Sequence, residues 1–420
     1  MPVTRTKPAA DRPPEDENYY RLPWSVTDNA SAWLEPTKSC NMACEGCYSV
    51  NDPGRHKTFQ QVSDDLEIIG RHRKAHVILI SGGEPLTHPR IEDIVRLVAA
   101  KGYVPILLTN GLAVTPQLLA KLKNAGLKGL NFHVDSRQKR PGWAGKNELE
   151  LNELRLAYAE MTAGAGGLSC SFHTTVYGDT LKYVPDILDW ARRHMGSVHL
   201  MTFIAFRAFR ETMPAGRFEY HAGGGKVKMP AAPDDGNDPG SRIDITSREI
   251  VREIRRKDPD FEPCCCLGGT GESDALKWLF TLRIGEKGGI YGCLGPKLIE
   301  LLQVCHHMFK GKYCGHTAPR LRAASKWLFP AGLIDKNTAL AFLRYFKACL
   351  KDPLKLLSPL HTQTVVIIQP PDILADGRQS MCDACPDMTV WNGRLVWSCR
   401  LEELARFGCF LTSIPEPEQP

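Results

Sequence analysis

No apolar run in these 420 residues approaches the roughly 20 that a membrane-spanning helix needs. The longest, such as Val198–Phe206, are strand-sized. The N-terminus lacks the apolar core of a secretory signal; polar and proline-rich, it reads as an extended arm over residues 1–30. No fixed-period repeat runs through the chain. Charge of either sign is in short excess: 53 Lys+Arg against 47 Asp+Glu leaves +6, which permits an anionic partner without arguing for one, and no nucleic acid is expected. With 43% hydrophobic and 24% charged residues the chain is neither disordered nor of low complexity. Its length excludes a small disulfide-stapled module and leaves core for one large domain and a smaller one.

What is abundant is cysteine: 15 residues, several tightly clustered. A cytoplasmic chain is expected; thiols stay reduced there, so the clusters point to metal or iron–sulfur ligation. Cys170 and Cys349, isolated in apolar surroundings, read as core.

From Trp33 to Phe206 the pattern is strand, loop, helix, repeated. Strands are expected at Ala32–Thr37, Val77–Ser81, Val104–Thr109, Gly129–Val134, Ser169–Val176 and Val198–Phe203. Helices are expected at Asp64–Arg73, Ile91–Ala100, Pro116–Asn124, Glu148–Thr162 and Asp186–His194. Strands alternating with helices make a parallel sheet, and six βα units in about 175 residues suit a partial (β/α)6 barrel, over 31–210, better than an eight-fold one. Residues 211–241, dense in Gly and Pro, read as a loop or lid. Residues 242–375 read as a helical, basic-amphipathic region, and 376–420 as a cysteine-rich tail, which makes the C-terminal extension α-rich and Cys-rich.

The first strand runs into Cys40-Asn-Met-Ala-Cys44-Glu-Gly-Cys47. Three thiolates on one tight loop can hold three irons of a cubane [4Fe–4S] cluster, which leaves the fourth iron open to a chelating molecule. The second strand ends in Ser81-Gly82-Gly83-Glu84-Pro85. Glycines there let backbone approach a ligand closely, and Glu84 offers a carboxylate to an amine. The third strand ends in Asn110-Gly111 and the fourth in His133-Val134-Asp135-Ser136, at the face where barrel active sites lie.

Together, CNMACEGCY and SGGEP, in order at the first two strand ends, closely resemble the radical S-adenosylmethionine (SAM) superfamily over about residues 33–206. The resemblance implies that Cys40, Cys44 and Cys47 ligate the [4Fe–4S] cluster and that SAM chelates its open iron. Glu84 and the Ser81, Gly82 and Gly83 backbone would hold the SAM amine, and Asn110, His133 and Ser136 would face its ribose or methionine. It implies reductive cleavage of SAM to a 5′-deoxyadenosyl radical that abstracts hydrogen from an unactivated C–H bond, with an electron donor such as a ferredoxin or flavodoxin. Which residue acts on the substrate is not readable from the motifs. Gly46 stands where many members carry an aromatic residue.

The tail carries Cys382, Cys385 and Cys399 around Asn392-Gly393, a strong hairpin signal, with Cys409 beyond. This layout resembles the auxiliary-cluster (SPASM or twitch) extensions of radical SAM enzymes, although the later spacing departs from SPASM; a second Fe–S cluster is expected there, with zinc as the alternative. The triplet Cys264–Cys266 is unassigned. Cys305-His306-His307 and Cys314-Gly315-His316 read as the end of an amphipathic helix, Lys297–Phe309, and a polar loop, with a metal site as the other reading.

Two features bear on substrate. The order of segments over 170–265 resembles the middle of the tetraether-lipid-synthase-like radical SAM group, although that group's Cys-rich N-terminal extension is absent. Residues 320–360 carry eight Lys/Arg against Asp335 and Asp352, with Leu340, Leu343, Phe346 and Leu350 on one helical face. Either this face packs into the core or it lies on the inner surface of an anionic membrane. The expected function is therefore hydrogen abstraction from a lipid or other long apolar substrate. A peptide- or small-molecule-modifying radical SAM enzyme and a non-enzymatic Fe–S carrier are the alternatives.

Overall fold

The structure, a computed structural model, describes residues 19–45, 47–207, 218–227, 244–272 and 275–415. Six strands, β1 (Ser31–Thr37), β2 (Val77–Gly82), β3 (Val104–Thr109), β4 (Gly129–His133), β5 (Ser169–Val176) and β6 (Leu200–Ala205), pair in sequence order, all parallel. The helices between them are α1 (Phe59–His72), α2 (Ile91–Ala100), α3 (Pro116–Asn124), α4 (Asn152–Ala165) and α5 (Val184–Arg193). This is the α/β partial barrel expected, an open parallel sheet with helices on one side.

Helix α1 begins five residues earlier than its apolar pattern suggests, because Thr58 and Gln61 form a reciprocal capping box. Helix α4 begins four residues later than expected: Glu148 accepts bonds from the Ser136 amide and Arg155, which holds it in the preceding loop.

Side-chain alternation divides the sheet into two faces. Ala32, Leu34, Ile78, Ile80, Leu107, Leu130, Phe132, Phe172, Met201 and Phe203 pack under the helices in the main core. The other face is apolar on the early strands, with Trp33, Val77, Ile106 and Leu108, and polar on the later ones, with Asn131, His133 and His173.

Beyond β6 the sheet continues through strands that the helical reading of 242–375 missed. His361–Ile368 lies parallel to β6; antiparallel to it runs Trp278–Glu286, followed by Cys265–Leu267. Tyr20–Arg21 closes this edge. These runs are short and apolar, and their partners lie far away in sequence, so periodicity alone does not separate them from buried helix. The helical expectation holds for α6 (Ser247–Arg255), α7 (Pro296–Lys310) and α8 (Lys336–Lys351). Of the segment read as a lid, 218–227 is a hairpin paired with Thr412–Pro415; the remainder of 211–241 lies outside the described residues.

The tail returns to the first strand. Met388–Trp391 and Arg394–Trp397 form the expected hairpin, with Asn392 and Gly393 both at positive φ (45° and 77°), as a type I′ turn requires. The buried guanidinium of Arg73, at the end of α1, holds it there. Arg73 donates to the Val26 and Ser31 carbonyls and, at 3.1 Å, to those of Cys385 and Pro386. Burial pulls its pKa down to about 10, with Cys385 and Asp387 acting in the opposite sense, so it stays charged at neutral pH. Arg73→Met strands several buried carbonyls. It should lower unfolding stability by on the order of 3 kcal/mol, read by denaturant titration, and expose the 376–415 segment to limited proteolysis; an unchanged midpoint would contradict this role.

Candidate functional site

The loop after β1 is pressed backbone-to-backbone against the end of β2. Gly83 N–H donates to the Thr37 carbonyl (2.9 Å) and Glu84 N–H to that of Ser39 (2.8 Å). A Cβ on Gly82 would stand 2.3 Å from the Thr37 oxygen, and one on Gly83 2.4 Å from the Ser39 oxygen. Only glycine admits this approach, and Gly82 also sits at φ +110°.

Beyond this contact the cysteine loop is clamped along its length. Asn51 and Cys40 exchange two bonds, Cys40 N–H to Asn51 Oδ1 (2.9 Å) and Asn51 Nδ2 to the Cys40 carbonyl (3.0 Å). Glu45 is held by the Arg137 carbonyl and guanidinium and by the Tyr177 hydroxyl. Cys40 and Cys44 are half-buried and Cys47 is exposed. Burial, then the charges of Asp135 and the neighbouring thiols, pushes Cys44 up to about 12; Cys40 is raised mainly by burial. Three thiols carried on one clamped loop are the donor type that iron–sulfur clusters take. The donor set therefore fits a cluster held by Cys40, Cys44 and Cys47.

Glu84 is 1% exposed. Its carboxylate accepts from the Leu86 amide (3.0 Å), the Thr109 hydroxyl (2.8 Å) and the Asn110 amide (2.6 Å). The expectation gave this group to a bound amine. Its visible work is to tie the ends of β2 and β3 together, and the Ser81–Gly83 backbone is the part of the motif lying against the cysteine loop. Asn110 sits beside that loop, its Nδ2 2.7 Å from Asn41 Oδ1 and 4.0 Å from Cys40 Sγ.

His133 Nε2 lies 2.9 Å from Asp135 Oδ2 and 3.0 Å from Thr175 Oγ1. Burial works to raise Asp135, but His133 and the Arg137 amide outweigh it and leave the carboxyl below its usual range. Ser136 lines a groove of about 380 Å³ with Glu45, Arg137 and Asp179.

The sequence reading passed over Arg140, which is buried. It donates to the carbonyls of Asn110 (2.6 Å) and His133 (3.0 Å) and to Gln138 and Tyr158. It thus joins the exits of β3 and β4, with Cys44, Asp135 and Glu84 as its charged neighbours. The basic run Arg137-Gln138-Lys139-Arg140 at a strand exit was its signal. Arg140 Nε, Asn131 Oδ1 and Asp179 Oδ1 are buried polar atoms without a hydrogen-bond partner among the described residues.

Of the tail cysteines, the structure brings three together. Cys382 and Cys385 share a hydrogen bond; Cys399 acts on Cys385 and is itself acted on by Cys382, with Asp387 beside all three. Cys409, expected with them, follows the helix Leu401–Phe407 and precedes Phe410, whose ring lies 5.7 Å from that of Trp397 in the hairpin. Tyr48, next to Cys47, is pushed well up by burial and then by Glu35, Cys47, Asp387 and Cys399, so it feels both thiol groups. Glu402 ties tail to loop through Lys38 (2.8 Å) and the Val50 amide (3.0 Å). Cys264 and Cys265 lie in the same apolar cluster as Cys382 and Cys385, and Cys170 and Cys349 are core as expected.

Residues 34–191 match the model of the Radical SAM superfamily. The chain carries a radical SAM domain. This family implies a [4Fe–4S] cluster and SAM. Among curated relatives, an AdoMet-dependent heme synthase of Methanosarcina barkeri is 33% identical over 110 residues, 25% of this chain and 30% of that protein. A GTP 3′,8-cyclase of Marinobacter nauticus is 28% identical over 231 residues, 53% of this chain and 61% of that one. The chain thus spans less than two thirds of either. Among solved structures, SuiB of Streptococcus suis bound to precursor peptide SuiA is similar with a TM-score of 0.38 at 10% identity, covering 56% of this chain and 46% of that one. Methylornithine synthase gives 0.36 at 14%, covering 56% and 64%. Likeness so slight does not bear on substrate.

The radical SAM domain offers a direct test of Glu84. Glu84→Gln places an amide against three donors and should cost about 1–3 kcal/mol of stability without any ligand present, read as a lowered unfolding midpoint. A carboxylate serving only a bound amine would leave ligand-free stability unchanged.

Proposed function

We propose that the protein is a radical SAM enzyme in which Cys40, Cys44 and Cys47 hold the cluster and a tail centre on Cys382, Cys385 and Cys399 relays electrons to it. The observation that carries this is one contact: a three-cysteine loop pinned by the Gly82–Gly83 strand end at the exit face of a parallel sheet. When bound, the cluster and SAM supply a one-electron cleavage that yields a 5′-deoxyadenosyl radical. The chain's own residues do the rest. The Ser81–Gly83 backbone receives the SAM amine, while Glu84 and Arg140 fix the strand exits that carry it. Asn110 reaches toward the cysteine loop; His133 and Ser136 present polar groups from the fourth exit, and Asn131 and His173 line the polar inner face. Tyr48, which feels both Cys47 and Cys399, is the residue through which the two groups communicate, and a small ferredoxin or flavodoxin is the external donor.

Reconstituted anaerobically, the protein should bind more than four irons per chain and release 5′-deoxyadenosine from SAM and a reductant. The Cys40/Cys44/Cys47 Ala variant should release none. Absence of 5′-deoxyadenosine from the wild type under every reductant, measured by mass spectrometry, would sink the enzyme reading.

For the substrate, a specific observation favours a long apolar molecule met at an anionic membrane. The Leu340, Leu343, Phe346 and Leu350 face of α8 is exposed, while Phe342, Tyr345 and Cys349 pack inward. Around it Leu333, Leu350 and Leu357 are 91%, 86% and 83% exposed. Single exposed leucines are ordinary; a stripe of them is not. Lys336, Lys347 and Lys351 lie on the same side and form no ion pair among the described residues, whereas Arg344 is engaged by Asp260. Leucines interleaved with free lysines complement an anionic bilayer. The names of the relatives, a heme synthase and a GTP cyclase, point to unlike substrates and do not choose among them. Vesicles with one third phosphatidylglycerol should float the wild type and fail to float L343E/L350E or K347E/K351E. Equal flotation of all three, or none by the wild type, would remove the membrane reading while leaving the radical chemistry untouched.

A further inference from the structure

Below the sheet, at the end opposite the cysteine loop, three ligand-type side chains from distant parts of the chain converge. His76 immediately precedes β2, His306 is near the end of α7, and Cys314 lies in the loop beyond it. One ligand atom from each falls within 4.8 Å of the others, all half-buried, and the two rings are 4.8 Å apart. We infer that His76, His306 and Cys314 form a binding site for a borderline-soft divalent cation of the zinc class.

The surroundings are built to hold these groups. His306 Nδ1 lies 2.6 Å from the Lys312 carbonyl, which can only accept, so Nδ1 carries the proton and Nε2 presents a free lone pair. Cys314 is fixed by two reciprocal bonds with Gln303, its N–H donating to Oε1 (3.0 Å) and its carbonyl accepting from Nε2 (3.1 Å). The intervening backbone is wedged against the sheet, since a Cβ on Gly315 would stand 2.7 Å from the Ala30 oxygen and 2.9 Å from Val77 Cγ2. The Gly315 amide donates to His76 Nδ1 (3.1 Å). A neutral imidazole has one free lone pair, so a cation bound by His76 takes it over and releases that amide. Cys314 gives up its thiol proton and its long contact to the His316 carbonyl (3.5 Å). The neighbouring cations are occupied elsewhere: Lys312 lies over the Tyr103 ring, and Arg322 donates to the His199 carbonyl and the Thr364 hydroxyl.

Two imidazoles and one thiolate suit zinc better than calcium or magnesium, which prefer oxygen, and leave a fourth position to water. The site joins residues some 230 apart in the chain, clipping α7 and its loop to the base of the barrel. It is separate from the iron chemistry at the opposite strand ends.

The test is metal analysis of the holoprotein purified without added zinc. About one zinc per chain is expected, retained in the Cys40/Cys44/Cys47 Ala variant and in H307A, whose side chain pairs with Asp28 instead. It should be lost in H306A and in C314A. Zinc K-edge X-ray absorption of the wild type should show one sulfur and two imidazole nitrogens, which keeps the test decisive if either variant misfolds. No zinc in the wild type, zinc unaffected by H306A and C314A, or a sulfur-only shell would each overturn the assignment.

Discussion

Everything at the exit face of this sheet depends on two glycines. Gly82 and Gly83 let the Thr37 and Ser39 carbonyls come within hydrogen-bonding distance of the next strand's backbone. Any side chain there would drive the cysteine loop off the sheet. With the loop seated, Asn51, Arg137, Tyr177 and Asn110 fix it from separate directions. Glu84 and Arg140 then lock the strand exits around it, so the thiols are positioned by backbone geometry and two buried charges rather than by a flexible loop closing on its metal.

The second constraint is the return of the tail. Arg73 grips the Cys385 and Pro386 carbonyls, and Glu402 grips the cysteine loop through Lys38 and Val50. A buried guanidinium satisfied by backbone carbonyls is expensive to break, because each carbonyl loses a partner that water cannot replace. The same return brings the tail cysteine Cys399 and the loop cysteine Cys47 both to bear on Tyr48.

Much of this was legible in the sequence. The six barrel strands and their helices follow from alternation and capping signals, and Asn392-Gly393 announced its hairpin through the backbone angles that pair of residues tolerates. The cysteine loop and the glycine strand end were readable because local spacing carries their chemistry. What the sequence hid is long-range. Arg73 and Arg140 look like surface arginines until the fold buries them against carbonyls hundreds or tens of residues away. The strands at Trp278–Glu286 and His361–Ile368 are short apolar runs whose partners are not neighbours in the chain. The leucine face of α8 was visible as a stripe, but periodicity cannot say whether a stripe faces core or solvent.

The central claim is that two separate iron–sulfur centres sit side by side, only one of them open to SAM. Electron paramagnetic resonance of the reconstituted, dithionite-reduced protein tests it most directly. Two reduced-cluster signals are expected. Addition of SAM should shift one and leave the other, and the Cys382/Cys385/Cys399 Ala variant should keep only the SAM-sensitive one. A single signal unchanged in that variant, or a SAM response lost with the tail cysteines, would contradict the account.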